Sequence, residues 1–222
     1  MPKSTTEVAT LPLKPGSEIG NPDNQAAAVL KDCCDTIAQQ DGFQQMQIGT
    51  QVENPGLMQM MIDWDSKAHH ETFMNSDIYS AFLKRFATIM DADPIIAHAD
   101  FQPDGGLNSA LGAPVTEVAT FYFDGAPPDD AQENAKKFIE TCQKEAPGSG
   151  VSGWAYGITD EEIEKDGAKG KGGVLLVGWP SVDAHMEFRN SEVFKNNIDL
   201  LRKEVKGIEV HHVAFMNVVA GQ

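Results

Sequence analysis

The side chains best suited to acid–base chemistry in this sequence are its histidines, at positions His69, His70, His98, His185, His211 and His212. An imidazole ionises closer to neutral pH than any other side chain, so it can act as a general acid or base. Two of the six recur in matched surroundings, because His70 follows Trp64 by six residues and His185 follows Trp179 by six. These four residues, together with Tyr79, are the candidates for a catalytic site.

Histidines also bind metals, but their local spacing argues against a metal site. Neighbouring helix residues point about 100° apart, so His69 and His70 do not readily share an ion. Neighbouring strand residues face opposite sides, which separates His211 from His212. The sequence also has no His-X-His, His-X3-His or Cys-X2-Cys spacing. We therefore predict no metal and no cofactor.

His98 and His212 form a second matched pair, each three residues before a phenylalanine that closes a predicted strand. Alternation places those phenylalanines under the helices, so His98 and His212 are expected on the other face, between two sheets. A buried imidazole needs hydrogen-bond partners for its ring nitrogens. The partners expected there are Thr10, Thr120, Gln45 and Gln47. We interpret the pair first as polar residues whose hydrogen bonds hold the two sheets together.

The matched tryptophans and histidines also have a structural interpretation. A tryptophan at the end of a strand usually packs against the next helix, and a matched histidine can pack a helix–sheet junction. In the functional interpretation, the same side chains point into a cavity between helices and sheet. The residues alone leave both interpretations open. Cys33 and Cys142 occupy one matched apolar position and are predicted to be buried structural thiols.

A tandem duplication supplies the elements that position these residues. The stretch from Trp64 to Tyr79 returns from Trp179 to Phe194 with seven matched positions in sixteen, and the letters TEVAT at 6–10 return at 116–120. A repeat of this length indicates two small domains. We predict a first repeat at 1–102, a linker at 103–114 rich in glycine, proline and polar residues, and a second repeat at 115–222.

Each half reads as β-α-β-β-α-β, the ferredoxin-like order. In the first half, strands are expected at 6–13, 43–52, 57–64 and 94–101, with a helix that Asn21 and Pro22 begin. A second helix should carry an apolar stripe, formed by Ile78, Phe82, Leu83, Phe86, Ile89 and Met90. The second half adds an insert at 159–173, expected to be a flexible loop. The predicted fold class is α+β, with two antiparallel sheets facing each other as a barrel within one chain.

With these residues in view, the chain resembles the dimeric α+β barrel superfamily, and within it the antibiotic-biosynthesis-monooxygenase-like (ABM-like) proteins. The resemblance lies in the strand-ending Trp64 and Trp179, a serine two residues later, and the helical letters H-x-x-F-x-N-S that follow. It implies that His70, Trp64 and Tyr79 are catalytic, with His185 and Trp179 in the second repeat. It also implies a pocket between helices and sheet.

The activity that the resemblance implies is a cofactor-independent oxygenation or cyclisation of an aromatic or polyketide-like metabolite. The alternative is a non-catalytic ligand-binding or stress-type barrel. Haem binding is known in part of the superfamily, and the resemblance implies a proximal histidine about nine or ten residues after the tryptophan. It is disfavoured here, because the position nine residues after each tryptophan holds Phe73 or Phe188, which cannot ligate iron. The first repeat, whose third strand is rich in methionine, is slightly favoured to hold the working pocket.

Charge and composition limit the partners. With 17 basic and 33 acidic residues the formal charge is −16, which repels nucleic acid and anionic lipid. No apolar stretch approaches 18 residues, so no membrane segment is expected. Three cysteines without metal spacing favour a reducing cytoplasm. The expected partner is a small-molecule ligand, and the expected assembly is a monomer that acts as a pseudo-dimer, with weak homodimerisation left open.

Overall fold

The computed structural model describes residues 4–218 and divides the chain into two compact units. The first unit runs to His98 and includes the residues from Met216 onward, and the second unit is Ala99–Phe215. No helix of the described residues is both long and apolar enough to cross a membrane.

The first unit has the predicted β-α-β-β-α-β order. Its elements are β1 (Thr5–Pro12), α1 (Gln25–Ala38), β2 (Phe43–Thr50), β3 (Leu57–Trp64), α2 (Lys67–Met74), α3 (Tyr79–Phe86) and β4 (Ile95–Ala99). The strands are ordered β4-β1-β3-β2, and β3 pairs antiparallel with both β1 and β2. This is the strand order of a ferredoxin-like sheet.

The second unit repeats this order behind one additional helix. Its elements are α4 (Gly106–Leu111), β5 (Val115–Tyr122), α5 (Ala131–Glu145), β6 (Gly153–Lys165), β7 (Ala168–Trp179), α6 (Val182–Arg189), α7 (Glu192–Asn197), α8 (Asp199–Arg202) and β8 (Gly207–Val213). The strands are ordered β8-β5-β7-β6. A short strand β9 (Met216–Asn217) then pairs with β2 of the first unit. The α+β class with two ferredoxin-like repeats is confirmed, and the arrangement of the sheets as a barrel stays a prediction.

The periodic apolar faces of the long helices form the cores. Helix α1 buries Ala26, Val29, Leu30, Cys33, Cys34 and Ile37, and α5 buries Ala135, Phe138, Ile139 and Cys142. All three cysteines are free and buried. Burial raises the pKa of Cys33 and Cys142 to about 11 and that of Cys34 to about 12. The interpretation of Cys33 and Cys142 as structural thiols is therefore confirmed.

The insert at 159–173 is a β-hairpin with one register shift between Ile158 and Glu162, so the prediction of a flexible loop was wrong. Strands β6 and β7 continue through it and pair from Glu162 with Lys171 to Lys165 with Ala168. The two residues of its turn, Asp166 and Gly167, have φ values of 52° and 86°. Positive φ at both positions is typical of the two-residue type I′ turn, for which Asp-Gly is a favoured sequence.

Three further boundaries differ from the prediction. Helix α1 begins at Gln25, because the Asn24 side chain accepts a hydrogen bond from the Ala26 amide at 2.9 Å, whereas Asn21 accepts one from the Asp23 amide in the preceding turn. The predicted linker contains helix α4. The apolar stripe after α2 is buried from Phe86 onward, whereas Ile78 before α3 is 49% exposed and Leu83 within α3 is 36% exposed.

Candidate active site

Strand β1 brings a carboxylate against the tryptophan that ends β3. The two strands pair with Thr5 opposite Trp64, so Glu7 lies two residues further along β1. The Trp64 indole Nε1 donates a hydrogen bond of 3.0 Å to Glu7 Oε2, and both side chains are buried. A carboxylate in the middle of a buried strand is costly unless it is paired or hydrogen-bonded, so this contact compensates part of its lost hydration.

Helix α2 and strand β4 add two histidines to this pair. The His70 ring stacks on Trp64 with a centroid distance of 5.2 Å and an interplanar angle of 9°. His70 Nδ1 lies 2.8 Å from His98 Nε2 and 3.4 Å from Glu7 Oε2. We call these four residues, Glu7, Trp64, His70 and His98, the first cluster. Each of the four is at most 5% exposed.

The second unit contains the equivalent group of Glu117, Trp179, His185 and His212, which we call the second cluster. Trp179 Nε1 donates to Glu117 Oε2 at 3.1 Å, and its ring stacks on His185 at 4.8 Å and 18°. His185 Nδ1 lies 2.7 Å from His212 Nε2, whereas its Nε2 lies 3.3 Å from Glu117 Oε2. In this cluster the His185 ring therefore stands between the carboxylate and the second histidine.

The second cluster contains a carboxyl group that titrates near neutral pH. Burial raises the pKa of Glu117 to about 7, although the Trp179 hydrogen bond and the Arg189 charge act in the opposite direction. A group with this pKa is present in both protonation states at pH 7, so it can accept and return a proton. Perturbed carboxyl groups of this kind concentrate at functional sites.

Each cluster borders a mostly apolar cavity. The second cavity is about 80 Å³, and Glu117, Trp179 and His185 share its wall with apolar residues that include Phe188 and Leu201. The first cavity is smaller, at about 40 Å³. The first repeat was expected to hold the working pocket, but the larger cavity lies in the second repeat. Both lie below the roughly 300 Å³ of typical small-molecule sites. A ligand larger than one ring therefore requires the covering side chains to move.

The structure brings the predicted site residues together in both units. Trp64, His70 and Tyr79 line the first cavity, and Trp179 and His185 line the second, where Phe194 replaces Tyr79. Burial raises the pKa of Tyr79, and the nearby Glu7 carboxylate adds to this effect. Their catalytic roles stay predictions. His69 lies outside the first cluster, where its Nδ1 is 2.9 Å from the Ser66 hydroxyl.

The predicted direction of His98 and His212 was wrong. Both side chains meet the histidine of the preceding helix, on the side of the sheet that α2 or α6 covers. Two of the expected partners bind elsewhere: Thr10 donates to Gln59, and Gln45 donates to Asp63. The prediction counted alternation back from Phe101 and Phe215, but β4 ends at Ala99 and β8 ends at Val213. The two phenylalanines lie beyond the strand ends, so they do not indicate which face of each strand carries the histidine.

Sequence reasoning missed the two glutamates of the clusters. Glu7 and Glu117 are the acidic residues within the repeated letters TEVAT, where all other positions are apolar or threonine. A carboxylate retained at the same strand position in both copies was the available signal.

Residues 6–85 match the family described as antibiotic biosynthesis monooxygenase (ABM). This match covers most of the first repeat, including Trp64 and the motif after it, so the resemblance inferred from those residues is confirmed. No curated protein matches the chain.

Solved structures extend the likeness over both repeats. An anthrone oxidase-like protein superposes with a TM-score of 0.70 at 14% identity, covering 99% of this chain and 94% of that chain. A candidate monooxygenase of Lactobacillus acidophilus NCFM gives a TM-score of 0.56 at 13% identity, with 99% and 97% covered. One of Fusobacterium nucleatum subsp. nucleatum ATCC 25586 gives 0.55 at 13% identity, with 96% and 93% covered. At these identities the likeness shows a shared fold.

Proposed function

We propose that this chain is a small-molecule oxygenase or cyclase that works without a cofactor, and that the second cluster performs its proton transfers. The observation that carries the proposal is a carboxyl group with a pKa near 7, in contact with a buried histidine pair, at the wall of an apolar cavity. The ABM match of the first repeat supports an oxygenase-type role. The proposed substrate is an aromatic metabolite with an acidic C–H or phenolic O–H bond.

Each residue of the second cluster has its own role in this proposal. Glu117 or His185 removes a proton from the substrate, and the contact between His185 and His212 lets the histidine pair share the charge that develops. The Trp179 indole holds the carboxylate in place and covers one face of the imidazole. General acid–base groups of this kind typically contribute about 10²–10⁴-fold to a rate.

The resulting carbanion or phenolate supplies the electrons for the next step. In an oxygenation, a methylene group between aromatic rings and O₂ give a ketone and water, so the substrate itself is the reductant. In a cyclisation, the same carbanion attacks an electrophilic carbon within the molecule. The solved anthrone oxidase-like protein of similar fold makes anthrone a suitable first probe, together with single-ring phenols that suit a cavity of about 80 Å³.

An oxygen electrode tests the oxygenase proposal directly. The chain should consume O₂ with a substrate from this panel, and Glu117→Gln and His185→Gln should each lower kcat by about 10²-fold or more. His69→Gln is the control, because His69 lies on the equivalent helix of the first repeat but outside both clusters. Turnover that survives both second-cluster substitutions would contradict the assignment of the site.

The small size of both cavities favours one alternative function, that of a non-catalytic ligand-binding barrel. That function predicts saturable binding of an aromatic ligand, detected by quenching of Trp179 fluorescence, without O₂ consumption or product. A cytoplasmic location and a monomeric pseudo-dimer remain part of the proposal. Three buried free cysteines and the presence of two repeats in one chain support them.

A further inference from the structure

The two clusters differ in how their polar atoms are arranged. In the first cluster, His70 Nδ1 faces both Glu7 Oε2 and His98 Nε2, at 3.4 Å and 2.8 Å. One potential ligand atom of each of Glu7, His70 and His98 lies within 4.8 Å of the other two, and within residues 4–218 this is the one group of three or more histidine, cysteine or acidic residues with that property. In the second cluster, His185 uses opposite ring nitrogens for its two partners, so its polar atoms form a chain instead.

We propose that the first cluster binds one divalent transition-metal ion through Glu7 Oε2, His70 Nδ1 and His98 Nε2. Two imidazoles and one carboxylate form the ligand set of many zinc and non-haem iron sites, both of which keep coordination positions open. Ligands bound at 2.0–2.1 Å around a tetrahedral ion lie about 3.3 Å apart. The observed separations of 2.8 Å and 3.4 Å surround this value, so small side-chain shifts accommodate the ion.

The surroundings of the three atoms also fit a metal. The Trp64 indole donates to the Glu7 carboxylate and stacks on the His70 ring, which fixes both ligands as outer-shell partners do in metal sites. The positive ion would offset the cost of burying a carboxylate that is 5% exposed. Glu7 and His70 line the first cavity, which therefore supplies the direction from which a water or substrate atom completes the coordination.

This site is independent of the proposed proton chemistry, which uses the second cluster. The chain would then hold two differently equipped centres built from one ancestral repeat, one suited to proton transfer and one suited to a metal. Each can be tested without the other, because metal binding is measured without substrate.

The test uses the full chain, stripped of metal with a chelator and titrated with Co²⁺ and Zn²⁺. We expect one Co²⁺ per chain by calorimetry, visible d–d absorption of a low-coordinate cobalt site, and a higher Tm with either ion because the ion binds the folded state. His98→Gln and Glu7→Gln should each weaken binding by about 100-fold or more, since loss of outer-shell partners alone costs 10–100-fold. His212→Gln, the matched variant of the second cluster, should leave affinity unchanged.

Several results would overturn the proposal. Absence of saturable binding in the unmodified chain would do so without any variant. Affinity that is unchanged in both His98→Gln and Glu7→Gln would assign the ion to exposed acidic residues, as would equal loss in His212→Gln. Circular dichroism establishes whether each variant is folded. If a first-cluster variant does not fold, X-ray absorption of the cobalt-loaded unmodified chain replaces it, and two imidazole ligands are the required result.

Discussion

Replacing Glu117 by glutamine should change how the stability of the chain depends on pH. Burial raises the pKa of this carboxyl from 4.5 to about 7, so the folded state keeps its proton in a range where the unfolded state loses it. The contribution of Glu117 to the free energy of unfolding of the unmodified chain therefore falls as pH rises from about 4.5 to about 7, and the loss is complete above that range. Glutamine does not ionise, so Glu117→Gln lacks this contribution to the pH dependence.

The size of the effect follows from the shift in pKa. A change of one pKa unit corresponds to 1.36 kcal/mol, so a shift from 4.5 to about 7 corresponds to at most about 3 kcal/mol. The Glu117 side chain is 12% exposed, so solvent screens this energy only weakly. Two neighbours moderate it, because the Trp179 hydrogen bond and the Arg189 charge stabilise the ionised form and are already included in the raised pKa.

Urea unfolding at several pH values measures the difference between the two chains. The free energy of unfolding of Glu117→Gln minus that of the unmodified chain should increase by about 3 kcal/mol between pH 4 and pH 8. Glu192→Gln is the control, because Glu192 is 79% exposed and its replacement should give a nearly constant difference. A constant difference for Glu117→Gln, or one that decreases with pH, would refute the assignment of a buried, neutral-pH carboxyl group.

Four further results are expected. Trp179→Phe removes the hydrogen bond that lowers the pKa of Glu117, so the pKa seen by carboxyl ¹³C NMR should rise above 7; an unchanged value would contradict this. The three buried thiols should resist a disulfide reagent until urea unfolds the chain, and rapid labelling of native protein would contradict their burial. Gly167→Ala should destabilise the hairpin by about 1–2 kcal/mol in urea unfolding, because Gly167 has φ of 86°, while Gly148→Ala should cost less. Sedimentation equilibrium should give the mass of one chain, and an obligate dimer would oppose the pseudo-dimer prediction.

The sequence predicted the elements whose side chains repeat with a local period. The spacing of apolar residues in α1 and α5 indicates their buried faces, because a helix presents residues three and four apart on one side. The duplicated stretch around Trp64 and Trp179 identified two ferredoxin-like repeats, since matched positions indicate matched folds. The Asp-Gly turn of the β6–β7 hairpin is also a local signal, because this dipeptide favours a two-residue hairpin turn.

Only the tertiary structure decided which polar side chains meet. Glu7, His70 and His98 lie on β1, α2 and β4, and no local spacing relates residues separated by 63 and 28 positions. The face of β4 that carries His98 depends on where the strand ends, and Phe101 beyond that end was a misleading reference. The pKa of Glu117 is likewise a property of its burial, which the sheet and its covering helix create and the residue type alone does not contain.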